Sequence, residues 1–369
     1  MSNLEAITEA GTSIWLDDLS QARLIDPTAA NSLTHLIEDF HVSGVTTNPS
    51  IFAAALSNSS LYATAFEKLK ANGATAEEAI REVTTGDVRI ACELLSGVYQ
   101  TSEGRDGRVS IEVDPRSARK TEDTISEARE LWRKVDRKNL FVKVPATLEG
   151  LPAIRTLISE GISINATLIF SLARYEAVLD AYISGIEDRV AAGLPVTGIE
   201  SVASLFVSRM DTEIDKRLDA LGTAQAKAVR GKAAIANARL AYKSFEDITS
   251  KPRWRSLAKL GATRQRPLWA STGVKDKSYN DTRYVIELVA PDTVNTMPEA
   301  TLLAVADHGE VRGDAITGTY DQARQDLEAL AELGVSYDEV VDFLEVDGVA
   351  KFEGAWIGLL ASVSKVMNL

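Results

Sequence analysis

The stretch Asn139-Leu140-Phe141-Val142-Lys143-Val144-Pro145-Ala146-Thr147 sets a lysine inside a run of consecutive apolar residues. A strand reads this way when helices cover both faces of a parallel sheet. An ammonium group is costly there, and burial favours its neutral, nucleophilic form. Neutral amines attack carbonyls to give Schiff bases. The competing reading puts Lys143 at the strand's end, snorkelling into water, and what other strands bring to the same end decides between the two. Read in order, the strand ends carry Asp17, Thr47 with Asn48, Glu112 with Asp114, Lys143, Asn165 with Thr167, Ser204 with Arg209, and Ser271 with Lys275. Polar groups inside apolar strands are expensive without partners, and a ring of mutual partners around Lys143 accounts for them. Glu112 and Asp114 are two apart and so share a face of a strand. One carboxylate beside a Schiff-base lysine moves protons directly or through a water, and Asp17 is the other candidate. Against this, Asp114 and Asp17 could cap helices or pair with Arg116 and Lys143. Ser204 and Arg209 offer a hydroxyl and a planar donor fork suited to phosphate, unless Arg209 pairs at the surface with Asp211.

The elements that must hold these residues alternate in type. Eight short apolar runs, at 13–17, 44–49, 108–115, 139–147, 162–170, 201–207, 267–272 and 293–298, are separated by segments of helical periodicity. Helices are expected over 28–40, over 61–95 with an interruption near Asn72-Gly73, over 121–135, and from Gly150 to Glu160. Another follows Ser171, a plausible N-cap. The pattern predicts an α/β fold, a single (β/α)8 TIM barrel over 1–369, because eight parallel strands close into a filled barrel. A helix-rich insertion is expected at 211–259, and further C-terminal helices within 320–369, at 320–333, 337–344 and 350–366. A doubly wound open sheet is the alternative, weakened because no Gly-x-Gly-x-x-Gly follows the first strand. In such barrels the active site forms at the C-terminal ends of the strands, where the polar residues fall.

Composition bounds the function. The 369 residues are 45% hydrophobic and 25% charged, an ordinary globular balance. A net charge of -13 argues against nucleic acid and anionic membrane as partners, while leaving room for a local basic pocket for a small phosphate. The one cysteine, Cys92, excludes an internal disulfide and reads as core. His35, His41 and His308 are not spaced for a metal site, and Lys251-Pro252-Arg253-Trp254-Arg255 reads as a solvated turn. The N-terminus has neither a charged n-region nor an apolar h-region, and no run is long enough to span a membrane, so a cytoplasmic location is expected.

The chain resembles the transaldolases from Ser13 to at least Leu303. The resemblance rests on Trp15-Leu16-Asp17, Gly44-Val45-Thr46-Thr47-Asn48-Pro49-Ser50, Ile111-Glu112-Val113-Asp114, Val142-Lys143-Val144-Pro145, Asn165-Ala166-Thr167-Leu168-Ile169-Phe170-Ser171 and Ser204-Leu205-Phe206-Val207-Ser208-Arg209. It implies a cofactor-free transferase of the pentose phosphate pathway, monomer or homodimer, moving a dihydroxyacetone unit between sugar phosphates through a Schiff base on Lys143. Asp17 would take the donor C4 hydroxyl proton. Glu112 and Thr167 would work through a bound water in forming and hydrolysing the imine. Asn48 and Asn165 would hold donor hydroxyls or the lysine, Phe206 would shape the pocket, and Ser204 and Arg209 would bind phosphate. The chain departs from the family at Ala270-Ser271-Thr272-Gly273-Val274-Lys275, where shorter members carry a phosphate-binding arginine; Lys275 is expected to supply that charge beside Ser271. The alternatives are a fructose-6-phosphate aldolase and a non-catalytic sugar-phosphate binding protein.

Overall fold

The computed structural model describes residues 2–57 and 60–369. Eight parallel strands close on themselves in sequence order. They are β1 (Thr12–Leu16), β2 (Val42–Val45), β3 (Arg108–Glu112), β4 (Leu140–Pro145), β5 (Ile164–Ile169), β6 (Ser201–Phe206), β7 (Arg266–Ala270) and β8 (Thr293–Met297), and β8 pairs with β1 from Thr12↔Thr293 to Leu16↔Met297. Helices pack outside, so every residue of β1, β4, β5, β6, β7 and β8 is buried. That is why these strands read as apolar runs with embedded polar residues and not as alternations.

Register sets the site. Glu112 on β3 lies opposite Lys143 on β4, which lies opposite Asn165 on β5. Residues opposed on adjacent strands send their side chains to the same face, so an acid, an amine and an amide stand side by side at one level of the barrel.

Several boundaries differ from expectation for local reasons. The third strand stops at Glu112, because Asp114 caps a short 3-10 turn that has Pro115 at its first position. Asp114 therefore does not share a strand face with Glu112; its carboxylate binds Arg116 instead, at 2.9 and 3.0 Å from Nε. The helix expected over 28–40 is Leu33–Asp39, capped by Ser32, with a short separate turn at Gln21–Leu24. The 61–95 stretch contains two main helices, Ala63–Ala71 and Ala76–Leu94, separated at Gly73 (φ +77) and restarted by a Thr75/Glu78 capping box. After β5, Ser171 accepts a bond from Arg174 N and opens the helix Leu172–Ala191. Between β6 and β7 the helices are Ser208–Leu221, Ala224–Val229, Ala233–Ser250 and Pro252–Ala258, so the first begins before residue 211.

The largest difference is at the C-terminus. In place of the separate helices expected at 337–344 and 350–366, one helix runs unbroken from Tyr337 to Met367. Gly348 is helical and serves close approach: a Cβ there would lie 3.2 Å from the Phe170 ring and 3.3 Å from Leu168. The approximately 1 kcal/mol that glycine costs a helix interior is offset by seating this helix on the end of β5.

Gly44 has a comparable role on β2, since a Cβ would meet the Trp15 ring at 2.5–2.7 Å. Trp15 is fully buried, donates to Asp106 at 3.0 Å and packs on Phe141. Gly44→Ala is expected to cost about 1–3 kcal/mol of unfolding free energy through overpacking, measured by urea denaturation; unchanged stability would show that Trp15 is free to shift.

Candidate active site

Lys143 is the centre of a cavity of about 170 Å³ at the C-terminal end of the barrel, lined also by Asp17, Thr46, Asn48, Arg209 and Phe352 among others. Its side chain is 5% exposed, and Nζ donates to the Thr47 carbonyl at 3.1 Å and lies 3.4 Å from Glu112 Oε2. Lys143 does not snorkel. Burial pushes the Glu112 carboxyl up to about 7, against the opposing pull of the Lys143 ammonium. A carboxyl poised there can both take a proton and return it near neutral pH.

Asp17 follows β1 directly. Thr46 Oγ1 donates to Asp17 Oδ1 at 2.7 Å and lies 2.6 Å from Thr296 Oγ1. Because the Thr46 proton goes to the carboxylate, Thr296 must donate to Thr46, and β8, β2 and β1 together orient Asp17. Burial raises the Asp17 carboxyl above its ordinary value, while Lys143 and the Thr46 hydroxyl pull it down. Asn48 accepts from Ile51 N at 3.1 Å, opening the helix Pro49–Ser57 at the cavity wall.

Thr167 lies at a register shift in β5 between Ala166 and Ile169, and the next residue, Leu168, has a left-handed backbone (φ +59). Such a conformation costs a branched side chain about 1–3 kcal/mol and persists only when its surroundings impose it. The Thr167 hydroxyl is buried with no protein partner, as are both oxygens of Glu112 by hydrogen-bond geometry. Unpaired groups of this kind call for a ligand.

Two further cations, Arg209 and Lys275, line the same cavity. The Arg209 guanidinium stacks over the rings of Phe206 (5.0 Å) and Phe352 (5.8 Å), and its Nη1 is buried without a partner. It does not pair with Asp211, which instead accepts from Tyr284 Oη at 2.6 Å and Ala234 N at 2.8 Å. Lys275 is exposed at the rim, and Ser271, left-handed at φ +56, shares a hydrogen bond with Ser208 at 3.0 Å.

Two expected binding groups are engaged elsewhere. Asn165 does not line the cavity: its Nδ2 donates to Ser110 and its Oδ1 accepts from Ser204 at 2.6 Å. Ser204 lines the cavity but has its proton committed to Asn165, which leaves it nothing to donate to an anion. The sequence reading also missed Thr46, Ser50, Thr296, Pro298 and Phe352, all of which line the cavity. Thr46 stood beside the Thr47-Asn48 pair and could have been found. Phe352 gave no signal, being one apolar residue of a helix read as an accessory.

The other titratable features are structural. His35 pairs with Asp39, His308 bridges Asp281 and Asp307, Cys92 is buried, and Arg253 binds Glu187 and Asp180. Among the described residues no group of three or more His, Cys, Asp or Glu is arranged to hold a metal ion, and no helix is long and apolar enough to cross a membrane.

Comparison with known proteins gives one consistent family. The family described as transaldolase/fructose-6-phosphate aldolase matches residues 14–363. Transaldolase 2 of Streptomyces coelicolor is 58% identical over 359 residues, 97% of this chain and 95% of the relative. Transaldolase 1 of the same organism is 57% identical over 99% of this chain and 95% of the relative. A transaldolase of Frankia alni is 53% identical over 100% of this chain and 98% of its own. The matched span contains every cavity residue from Asp17 to Phe352.

Proposed function

The chain belongs to the transaldolase/fructose-6-phosphate aldolase family, and from that premise we propose that it transfers a dihydroxyacetone unit from sedoheptulose 7-phosphate to glyceraldehyde 3-phosphate, by way of a Schiff base on Lys143. The products are erythrose 4-phosphate and fructose 6-phosphate. The observation that carries this reading is a buried amine 3.4 Å from a carboxyl whose pKa lies near 7, in a cavity shared with Asp17 and an unpaired arginine.

Glu112 takes a proton from the Lys143 ammonium, and the neutral amine attacks the donor's C2 carbonyl. Glu112 then returns a proton to the leaving hydroxyl, and water departs as the iminium forms. Asp17 removes the C4 hydroxyl proton while the C3–C4 bond breaks and the aldose leaves. The electron pair from that bond moves into the iminium and is held as an enamine, so the nitrogen itself is the electron sink. The enamine carbon then attacks the acceptor aldehyde, Asp17 returns its proton to the new hydroxyl, and hydrolysis frees Lys143. The stacked Arg209 holds the sugar phosphate, and Lys275 adds a point charge at the rim. The setting is the cytoplasm, since charged sugar phosphates do not cross membranes unaided.

Incubation with fructose 6-phosphate, with and without an aldose phosphate acceptor, tests the reaction type. Turnover that requires the acceptor supports transfer; rapid release of free dihydroxyacetone without acceptor would make the enzyme an aldolase. Two substitutions test the phosphate assignment. Arg209→Leu is expected to raise KM for fructose 6-phosphate about 100-fold with kcat little changed, the loss of a desolvated charge-assisted contact. Lys275→Ala, at an exposed position, is expected to raise it only about threefold; an unchanged KM would remove Lys275 from the site.

A further inference from the structure

Arg209 stands in the first turn of the helix Ser208–Leu221, half-buried, and among the described residues it forms no ion pair. Of the acids around it Asp347 acts on it most strongly, ahead of Glu112 and Asp17. Asp347, however, pairs with Lys351 at 2.6 Å, and Glu112 faces Lys143. Two rings stand where a carboxylate would be expected: the guanidinium carbon lies 5.0 Å from the Phe206 centroid and 5.8 Å from that of Phe352. An aromatic face attracts a cation through its quadrupole. Such contact uses the faces of the planar guanidinium, whereas its five N–H donors lie in the plane at its rim. A carboxylate would occupy those donors; rings leave them free, and Nη1 is buried without a partner. Phe352 comes from far along the chain. Gly348 seats the C-terminal helix Tyr337–Met367 against Phe170 and Leu168, and Phe352, one turn later, falls on the same helix face. There it is 3% exposed and 6.3 Å from the Phe206 ring, which lies 5.4 Å from that of Phe170. The Phe352 centroid is also 5.8 Å from Lys143 Nζ.

We propose that Phe352 is a positioning residue whose ring, together with that of Phe206, clamps the Arg209 guanidinium by its faces and leaves its N–H edge free for the substrate phosphate. The proposal rests on the assignment of Arg209 to that phosphate above. Phe352 acts through Arg209, by fixing the plane of the fork before the substrate arrives. With one ring removed, the guanidinium is free to turn on its remaining contact and to meet Asp347, and the fork must be re-ordered each time a phosphate binds. The C-terminal helix thereby sets the affinity for phosphorylated sugars and does not only cover the barrel.

Phe352→Met keeps most of the volume and removes the ring. KM for fructose 6-phosphate is expected to rise about tenfold, the loss of one desolvated cation–π contact, with kcat within about threefold of the parent. The inhibition constant of inorganic phosphate should rise in step, while turnover of unphosphorylated fructose, which offers Arg209 nothing to hold, stays within about twofold. A double-mutant cycle separates positioning from packing: in the Arg209→Leu background, Phe352→Met should change KM by less than about twofold, because the ring has lost the group it acts on. Losses that multiply would make the ring packing alone. A fall shared by fructose, with phosphate inhibition at the parental value, would assign the ring to Lys143. Either result overturns the proposal. Should Phe352→Met not fold, the 15N-labelled guanidinium resonances of Arg209 are read in the unsubstituted protein, identified by their loss in Arg209→Leu. Ring-current displacement of the free signals and a further shift on adding inorganic phosphate support the clamp, and undisplaced signals overturn it. Arg209→Leu alone separates the two failures: an unchanged KM there sinks the phosphate assignment itself, whereas a raised KM there beside a parental Phe352→Met sinks only the role of Phe352.

Discussion

Replacing Lys143 by methionine is expected to lower kcat by at least about 10⁴-fold, because it removes the nucleophile through which the donor carbon is activated and leaves only binding and polarisation. The barrel should still fold. Methionine fills nearly the same volume, and the Thr47 carbonyl, which accepts from Lys143 Nζ, is one lost bond among many. The group left exposed to consequence is Glu112, buried beside the missing ammonium. Its carboxyl already lies near 7 with that ammonium pulling it down, so without the cation it protonates and sits neutral, avoiding most of the cost of a lone buried charge. Steady-state kinetics alongside a circular-dichroism melt measure both halves. A variant that retains turnover within about 100-fold of the parent would show that the lysine is only a pocket cation.

Asp17→Asn should separate bond cleavage from imine chemistry. Loss of a general base costs about 10²–10⁴ in kcat, yet imine formation belongs to Lys143 and Glu112, so borohydride should still capture fructose 6-phosphate on this variant. The pH dependence has a definite sign. Asp17 acts as the carboxylate, which exists above its pKa, and burial holds that pKa above the ordinary aspartate value near 4. Transfer by the parent is therefore lost as pH falls through the raised pKa, with an acid limb at higher pH than an exposed aspartate would give. If Asp17→Asn cleaved the donor at the parental rate, the proton acceptor would have to be sought elsewhere.

The barrel and the heart of its site were legible because strand chemistry is local. A lysine, a glutamate and an asparagine inside apolar runs must meet partners, and parallel register brings Glu112, Lys143 and Asn165 to one level. Which of them face a ligand was not legible. Asn165 and Ser204 are the right residue types at the right strand, but they bond to each other, a pairing between neighbouring strands that no spacing within either strand encodes. For Asp114 the sequence offered a shared face with Glu112 or a cap paired with Arg116, and the second holds, because Pro115 turns the chain and delivers its carboxylate to Arg116. The C-terminal helix was the least legible part. Separate helices were expected at 337–344 and 350–366, whereas the packing of Gly348 against Leu168 and Phe170 that keeps one helix continuous between them is visible only in three dimensions. Phe352 and Trp356 were consequently assigned to an accessory segment, although one lines the Lys143 cavity and the other the smaller cavity beside Glu112.

The most direct test of a covalent lysine intermediate is intact-protein mass after borohydride treatment with fructose 6-phosphate, followed by peptide mapping. A covalent lysine intermediate gives a single reduced sugar-phosphate adduct, confined to the peptide that contains Lys143 and absent from Lys143→Met. An unmodified mass, or an adduct on any other lysine, would contradict it.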